Sequence, residues 1–240
     1  MKNYTIGFYL EKLYYSPQFE PVIKEIIKRN ISYVVIIPKN RERDELNQRG
    51  ESIKHCQKEG FVYCFEEDDC ECNIMIGNTP RPIHTPFKKS ALIMHGVWGG
   101  KMVNYASGLN DVDLRFLDGE FLENSLTKLF PEKKSIYYVS GYSKLDSYFE
   151  FTEEDRVKFL QYCNLDINKK TILYAPTFYP SSILKMSKKF PEDLADYNII
   201  LKPHSHLFLR KKYTKDLHRL ESWTKYPNVY LAKFNETNIL

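Results

Sequence analysis

Two short stretches carry a histidine to the end of an apolar run. In Ala91-Leu92-Ile93-Met94-His95-Gly96, an imidazole and a glycine stand just past a strand-like segment. Ligands of open parallel sheets bind at the carboxyl ends of strands, and a neutral imidazole near pH 7 can take a proton from an attacking hydroxyl. Gly96 would let backbone approach a substrate closely. The plainer alternative is a histidine that merely ends a strand. In Leu201-Lys202-Pro203-His204-Ser205-His206, a cation and an imidazole flank a proline that stiffens the turn. That combination suits an anion clamp; exposed basic surface is the alternative.

Two further segments follow strand-like runs. Ser140-Gly141-Tyr142-Ser143-Lys144-Leu145-Asp146 could wall a cleft or simply turn the chain. In Tyr174-Ala175-Pro176-Thr177-Phe178, a hydroxyl and backbone N–H groups could be aimed at a nucleotide, or the proline could only end the strand. Gly96, Gly99, Gly100 and Lys101 do not make a phosphate loop: the spacing is one residue short and Met102 follows the lysine. Lys101 is kept as a lysine facing substrate. Cys64, Cys70 and Cys72 lack the paired spacing of a zinc site, even with His55 and Cys56 near, so buried or idle thiols are favoured. No metal site is assigned, no cofactor is expected, and a divalent metal is not indicated.

The elements that must hold these residues alternate. Thr5–Leu10 reads as a strand. Ser16 and Pro17 read as a capping hydroxyl and a first-turn proline. Phe19, Val22, Ile23, Ile26 and Ile27 then recur on one helix face, and Tyr33–Ile37 is a continuous β-branched run suited to a strand covered on both sides. Further strands are expected at Phe61–Phe65, Asn73–Ile76, Ala91–Met94 and Ile136–Val139, with loop and helix over 40–58 and a helix over Phe121–Leu129. Thr152 and Asp155 predict a capped helix running to about Cys163. The pattern then restarts, with strands at Thr171–Tyr174, Asn198–Leu201 and Val229–Leu231 and one basic helix from about Leu207 to Lys225. The polar run Asp166–Lys170 lies in a boundary region over 150–168. This predicts an α/β chain of two Rossmann-like halves, 1–150 and 151–240. The second is read as truncated, because it is short for a doubly wound domain and Asn235–Leu240 begins a new element.

Bulk properties agree. The 240 residues are 42% hydrophobic and 28% charged, ordinary for a globular chain. A net charge of +4 gives no case for nucleic acid. The opening shows no signal-peptide pattern, no apolar run approaches the ~20 residues of a membrane span, and the 5 cysteines are odd in number, so a cytoplasmic protein is expected. Arg210–Lys215 reads as a solvated helix face that could also rest on anionic lipid.

In their order, these motifs resemble the CDP-glycerol glycerophosphotransferase family of teichoic-acid-type polymerases and primases. The resemblance is carried by Phe8-Tyr9-Leu10 through Tyr15-Ser16-Pro17-Gln18-Phe19-Glu20-Pro21-Val22, Ile76-Gly77-Asn78, and Met94-His95-Gly96 with Lys101 and Tyr105. Gly141-Tyr142-Ser143-Lys144-Leu145-Asp146, Leu173-Tyr174-Ala175-Pro176-Thr177 and Leu201-Lys202-Pro203-His204 continue it. It implies a GT-B-like fold of two facing Rossmann-like domains, an N-terminal acceptor side and a partial C-terminal nucleotide side. The implied activity is transfer of a polyol phosphate from a CDP carrier to a hydroxyl of a lipid-linked or polymer acceptor, with release of CMP. His95 would be the general base, Lys202 and His204 would hold the diphosphate, and Pro176 and Thr177 would seat the nucleotide. Gly96, Lys101, Gly141, Tyr142, Lys144 and Asp146 would bind substrate. Contact with the inner face of the membrane would be peripheral. The family continues into an Asp-Ser-Ser type segment that this chain stops before. Two other readings stand beside this one: a UDP-sugar glycosyltransferase or epimerase of similar fold, and an inactive truncated binding fragment.

Overall fold

A computed structural model describes residues 2–39, 47–79, 85–96, 107–132 and 134–236. The chain divides into two compact units, 1–149 and 150–240.

The first unit is a seven-stranded parallel sheet in the order β3-β2-β1-β4-β5-β6-β7. β1 (Lys2–Tyr9) leads through a 3-10 turn at Leu13–Tyr15 into α1 (Ser16–Lys28), then β2 (Tyr33–Ile37), α2 (Gln48–Glu59) and β3 (Tyr63–Phe65). β4 (Cys70–Gly77), β5 (Phe87–Ile93), β6 (Leu114–Leu117), α3 (Glu120–Leu129) and β7 (Ile136–Val139) follow. β1 pairs with β2 on one side and β4 on the other, so the winding reverses beside it. That switch point is where open α/β sheets take ligands.

The five residues of β2 are all buried, as its unbroken apolar run requires. Tyr33, Val35 and Ile37 pack with Phe19, Ile23 and Ile26 of α1 and Cys56 of α2, while Val34 and Ile36 pack with Tyr9, Cys72 and Met75 in a separate cluster. The period-2 alternation of a strand thus feeds two clusters. The cysteines are free and, except Cys64, buried. Burial pushes the Cys56 thiol up to about 12, which leaves little thiolate at neutral pH.

A short helix α4 (Asp146–Glu150) spans the boundary. The second unit holds α5 (Glu153–Tyr162), β8 (Thr171–Tyr174), α6 (Phe190–Asp193), β9 (Asn198–Leu201), α7 (His206–Leu209), α8 (Thr214–Trp223) and β10 (Val229–Leu231). Its sheet is parallel, in the order β10-β9-β8. The core gathers Ile199, Leu201, Leu207, Leu220 and Trp223. Thr152 and Asp155 form the expected capping box.

The structure differs from expectation in four places. Ser16 is the first residue inside α1, not its cap; Tyr15 stands at the cap position and makes no side-chain capping bond. The single basic helix over Leu207–Lys225 is instead α7, an extended Arg210 (φ −121, ψ 118), a 3-10 turn at Lys211–Tyr213, and α8. β6 was not expected at all. On the predicted α1 face, Val22 is only partly buried and Ile27 is exposed.

Candidate functional site

In the first unit, the carboxyl ends of β1, β4, β5 and β7 are tied together by side chains. β5 ends at Ile93, one residue before the expected Met94, and His95 stands two residues past it, half-buried. Its ring lies against Tyr15, with centroids 4.8 Å apart, and edge-on to Tyr14 at 5.9 Å. The two tyrosine hydroxyls are hydrogen-bonded at 3.0 Å. Both come from the 3-10 turn between β1 and α1, so the start of α1 sets where the imidazole can lie.

The His95 main chain is held as firmly. Its carbonyl accepts from Gln18 Nε2 at 3.1 Å and from the Tyr142 hydroxyl at 3.1 Å, and Gln18 Nε2 also donates to the Tyr142 hydroxyl at 3.1 Å. Ser143 Oγ donates to the Gln18 carbonyl at 2.7 Å. Asn78 Nδ2, just past β4, donates to the Ile93 carbonyl at 2.8 Å, and Thr79 Oγ1 donates to Glu11 Oε2 at 2.9 Å. Burial pushes the Tyr142 phenol up, opposed by the donor from Gln18, so the hydroxyl stays protonated and able to donate.

A cleft of about 330 Å³, open mouth included, lies beside this network; Met94, Gly96, Asp118, Ser140, Gly141 and Tyr142 are among its walls. Gly141 adopts φ +75, a left-handed conformation that favours glycine. Around Gly96 there is open space where a Cβ would stand, so no close approach in the described structure demands a glycine there. Lys144 is half-buried and desolvation lowers its pKa, while Asp146 is exposed at the start of α4. Lys101 and Tyr105 lie outside the described residues.

In the second unit, backbone pairing continues past the strands. Lys202 N donates to the Tyr174 carbonyl at 2.9 Å and His204 N to the Pro176 carbonyl at 3.1 Å, which sets the two expected motifs side by side. Pro176 is buried and Thr177 exposed. Lys202 Nζ donates to the Glu236 carbonyl. His204 Nδ1 accepts from the backbone N–H of His206 at 3.1 Å, so in the neutral ring the proton sits on Nε2, a donor. Phe178 packs on both rings, at 4.8 Å from His204 and 4.7 Å from His206.

The structure therefore gathers His95, Gly96, Gly141 and Tyr142 at one edge of the first sheet, and Pro176, Thr177, Lys202 and His204 at one edge of the second. Sequence reasoning gave no role of their own to Gln18, Tyr14, Tyr15 or Asp118. Position was the available signal for Asp118, which directly follows β6; Tyr14, Tyr15 and Gln18 stand beyond the end of β1, in the turn and helix that follow it. Among the described residues, no group of three or more His, Cys, Asp or Glu side chains could hold a metal ion.

A sequence model of the CDP-glycerol:poly(glycerophosphate) glycerophosphotransferase family matches residues 86–230. No curated protein matches the chain. Among solved structures, a variant of the wall teichoic acid polymerase TagF superposes with a TM-score of 0.51 at 14% identity, covering 98% of this chain and 62% of that one. A second TagF variant, soaked with CDPG, gives 0.55 at 13%, covering 98% and 61%. The UDP-GlcNAc 2-epimerase from Neisseria meningitidis bound to UDP-GlcNAc gives 0.52 at 14%, covering 97% and 72%. The chain thus spans about three fifths of the length of the TagF chains. At these identities the likeness is one of fold, and the fold is GT-B-like.

Proposed function

The chain belongs to the CDP-glycerol:poly(glycerophosphate) glycerophosphotransferase family, and from that membership we propose that it moves glycerol phosphate, or a related polyol phosphate, from a CDP carrier to an acceptor hydroxyl. The observation that carries this reading is that the family match runs through both strand-edge constellations, from His95 to His204.

In the proposed reaction an acceptor hydroxyl attacks the phosphorus that bears the polyol. His95 takes the hydroxyl proton, a new P–O bond forms, and the bond to the CMP oxygen breaks. Phosphoryl transfer asks a protein mainly for positioning and charge stabilisation. Lys202 supplies a positive charge and His204 Nε2 a donor for the diphosphate. The Lys202 amine, bonded to the Glu236 carbonyl in this structure, would exchange that bond for a charge-assisted one to a phosphate oxygen. Pro176 and Thr177 seat the nucleotide in the second unit. Gly96, Gly141, Tyr142, Lys144 and Asp146 bind substrate in the first, and Lys101, outside the described residues, is assigned the same role. Residues 1–150 then serve the acceptor and 151–240 the nucleotide. The acceptor is a lipid-linked or growing polymer, met at the inner membrane surface with the basic segment Arg210–Lys215 against anionic lipid. No described helix is long and apolar enough to cross a membrane.

A UDP-sugar enzyme is the second reading, favoured by the fold likeness to the epimerase. Saturation-transfer NMR separates the two. CDP-glycerol should receive saturation and CMP should appear when acceptor is added. Saturation of UDP-N-acetylglucosamine alone would overturn the proposal in favour of the second reading.

A further inference from the structure

We infer that Gln18 is a positioning residue for His95: it clamps the carbonyl of that residue so that the imidazole stays seated on Tyr14 and Tyr15. The inference rests on the reading of His95 as the base. Gln18 is a polar side chain at 1% exposure in the first turn of α1, where a solvated residue would be ordinary. Its amide nitrogen reaches two acceptors, the His95 carbonyl and the Tyr142 hydroxyl, each at 3.1 Å. The contact fixes the amide's orientation, because a carbonyl must face the NH₂ end rather than the oxygen. The Gln18 main chain is held in turn, its carbonyl accepting from Ser143 Oγ at 2.7 Å.

This one residue therefore joins the first turn of α1 to the segments just past β5 and β7. The ring of His95 and its backbone are fixed by the same short segment, through Tyr14 and Tyr15 on one side and Gln18 on the other. A base must sit within hydrogen-bond reach of the proton it takes, and misplacement by about 1 Å can cost on the order of a hundredfold in rate. Without Gln18, the His95 carbonyl loses one of the two donors from Gln18 and Tyr142, and that phenol loses the amide that orients it.

Gln18→Leu keeps a branched side chain, one bond shorter, and removes the donor. The expected result is a fall in kcat of about tenfold to a hundredfold with KM for CDP-glycerol unchanged, and displaced, broadened His95 ring signals in long-range ¹H–¹⁵N NMR. The His218 ring serves as an internal reference. Gln18→Glu, with nearly the same shape, should give the same loss at neutral pH, because a carboxylate sets an oxygen against the His95 carbonyl. It also decides the matter if the leucine variant does not fold. Unchanged kcat together with an unchanged His95 ring signal in either folded variant overturns the inference. If His95→Ala transfers as fast as the wild type, the base assignment fails instead, and the ring signal still reports on the clamp.

Discussion

His95 meets its surroundings in part through an aromatic face and a backbone carbonyl. The hydrogen bonds to that carbonyl do not depend on the imidazole. His95→Ala should lower the transfer rate by about 10²–10⁴, the usual worth of a general base, and leave the dissociation constant of CDP-glycerol nearly unchanged. An equal loss of binding would make His95 structural. Lys202→Ala should weaken CDP-glycerol more than cytidine in calorimetry, because only the former carries a diphosphate for the amine to meet. Equal weakening of both would remove Lys202 from the phosphate site. At this scale, the strand-end positions of His95, Lys202 and His204 were legible because each follows an apolar run. Gln18 was not, since a glutamine in a first helical turn reads as solvated surface. Its burial follows from Tyr142, a partner 124 residues away.

Among the elements, β6 shows best why a strand can hide. Leu114-Arg115-Phe116-Leu117 is interrupted by a guanidinium, yet Arg115 is fully buried. Its Nη1 donates to Asn110 Oδ1 at 2.9 Å, an oxygen that also accepts from the Tyr137 hydroxyl at 2.9 Å. Burial lowers the Arg115 pKa, and Tyr137 and Asp118 oppose that shift. No local pattern announces such a socket. The basic helix failed for a geometric reason. Leu207 and Tyr213 would stand about 120° apart around one continuous helix, whereas both enter the same core cluster. The break at Arg210 lets both do so. β5 and β6 are clasped at their starts by Asp113, which accepts from Lys89 Nζ at 2.8 Å and from Ser90 N at 2.9 Å. Those donors, Lys89 first, hold its carboxyl below the usual range. A depressed folded-state pKa means stability that is whole above the unfolded value of about 3.9 and lost as pH falls through the folded one. Asp113→Asn should thus destabilise the protein at neutral pH and flatten its acid-unfolding curve below about pH 4. An unchanged curve would show the clasp to be idle. Thr152→Ala, which breaks the capping box of α5, should cost about 1 kcal/mol in urea unfolding.

Over the whole molecule, each unit carries its own apolar core, which makes substitution in one a local probe. Trp223 is fully buried in the second, and its indole N–H donates to the Lys188 carbonyl at 3.0 Å. Trp223→Ala should cost about 3–5 kcal/mol, read as lost amide protection in β8, β9 and β10 by hydrogen exchange, with β1 and β4 keeping theirs. Equal loss in both sheets would mean that the chain unfolds as one cooperative block.

The hydrogen bonds that hold His95 also set a timetable for synthesis. β1 waits for β4 to pair, and the His95 carbonyl waits for a tyrosine 47 residues downstream. At roughly 5–20 residues per second on the ribosome, several seconds separate the appearance of the imidazole from that of the phenol that helps to anchor it. Early in that interval β5 lacks β6, and β6 then lacks β7, so a growing chain presents an open sheet edge until β7 arrives.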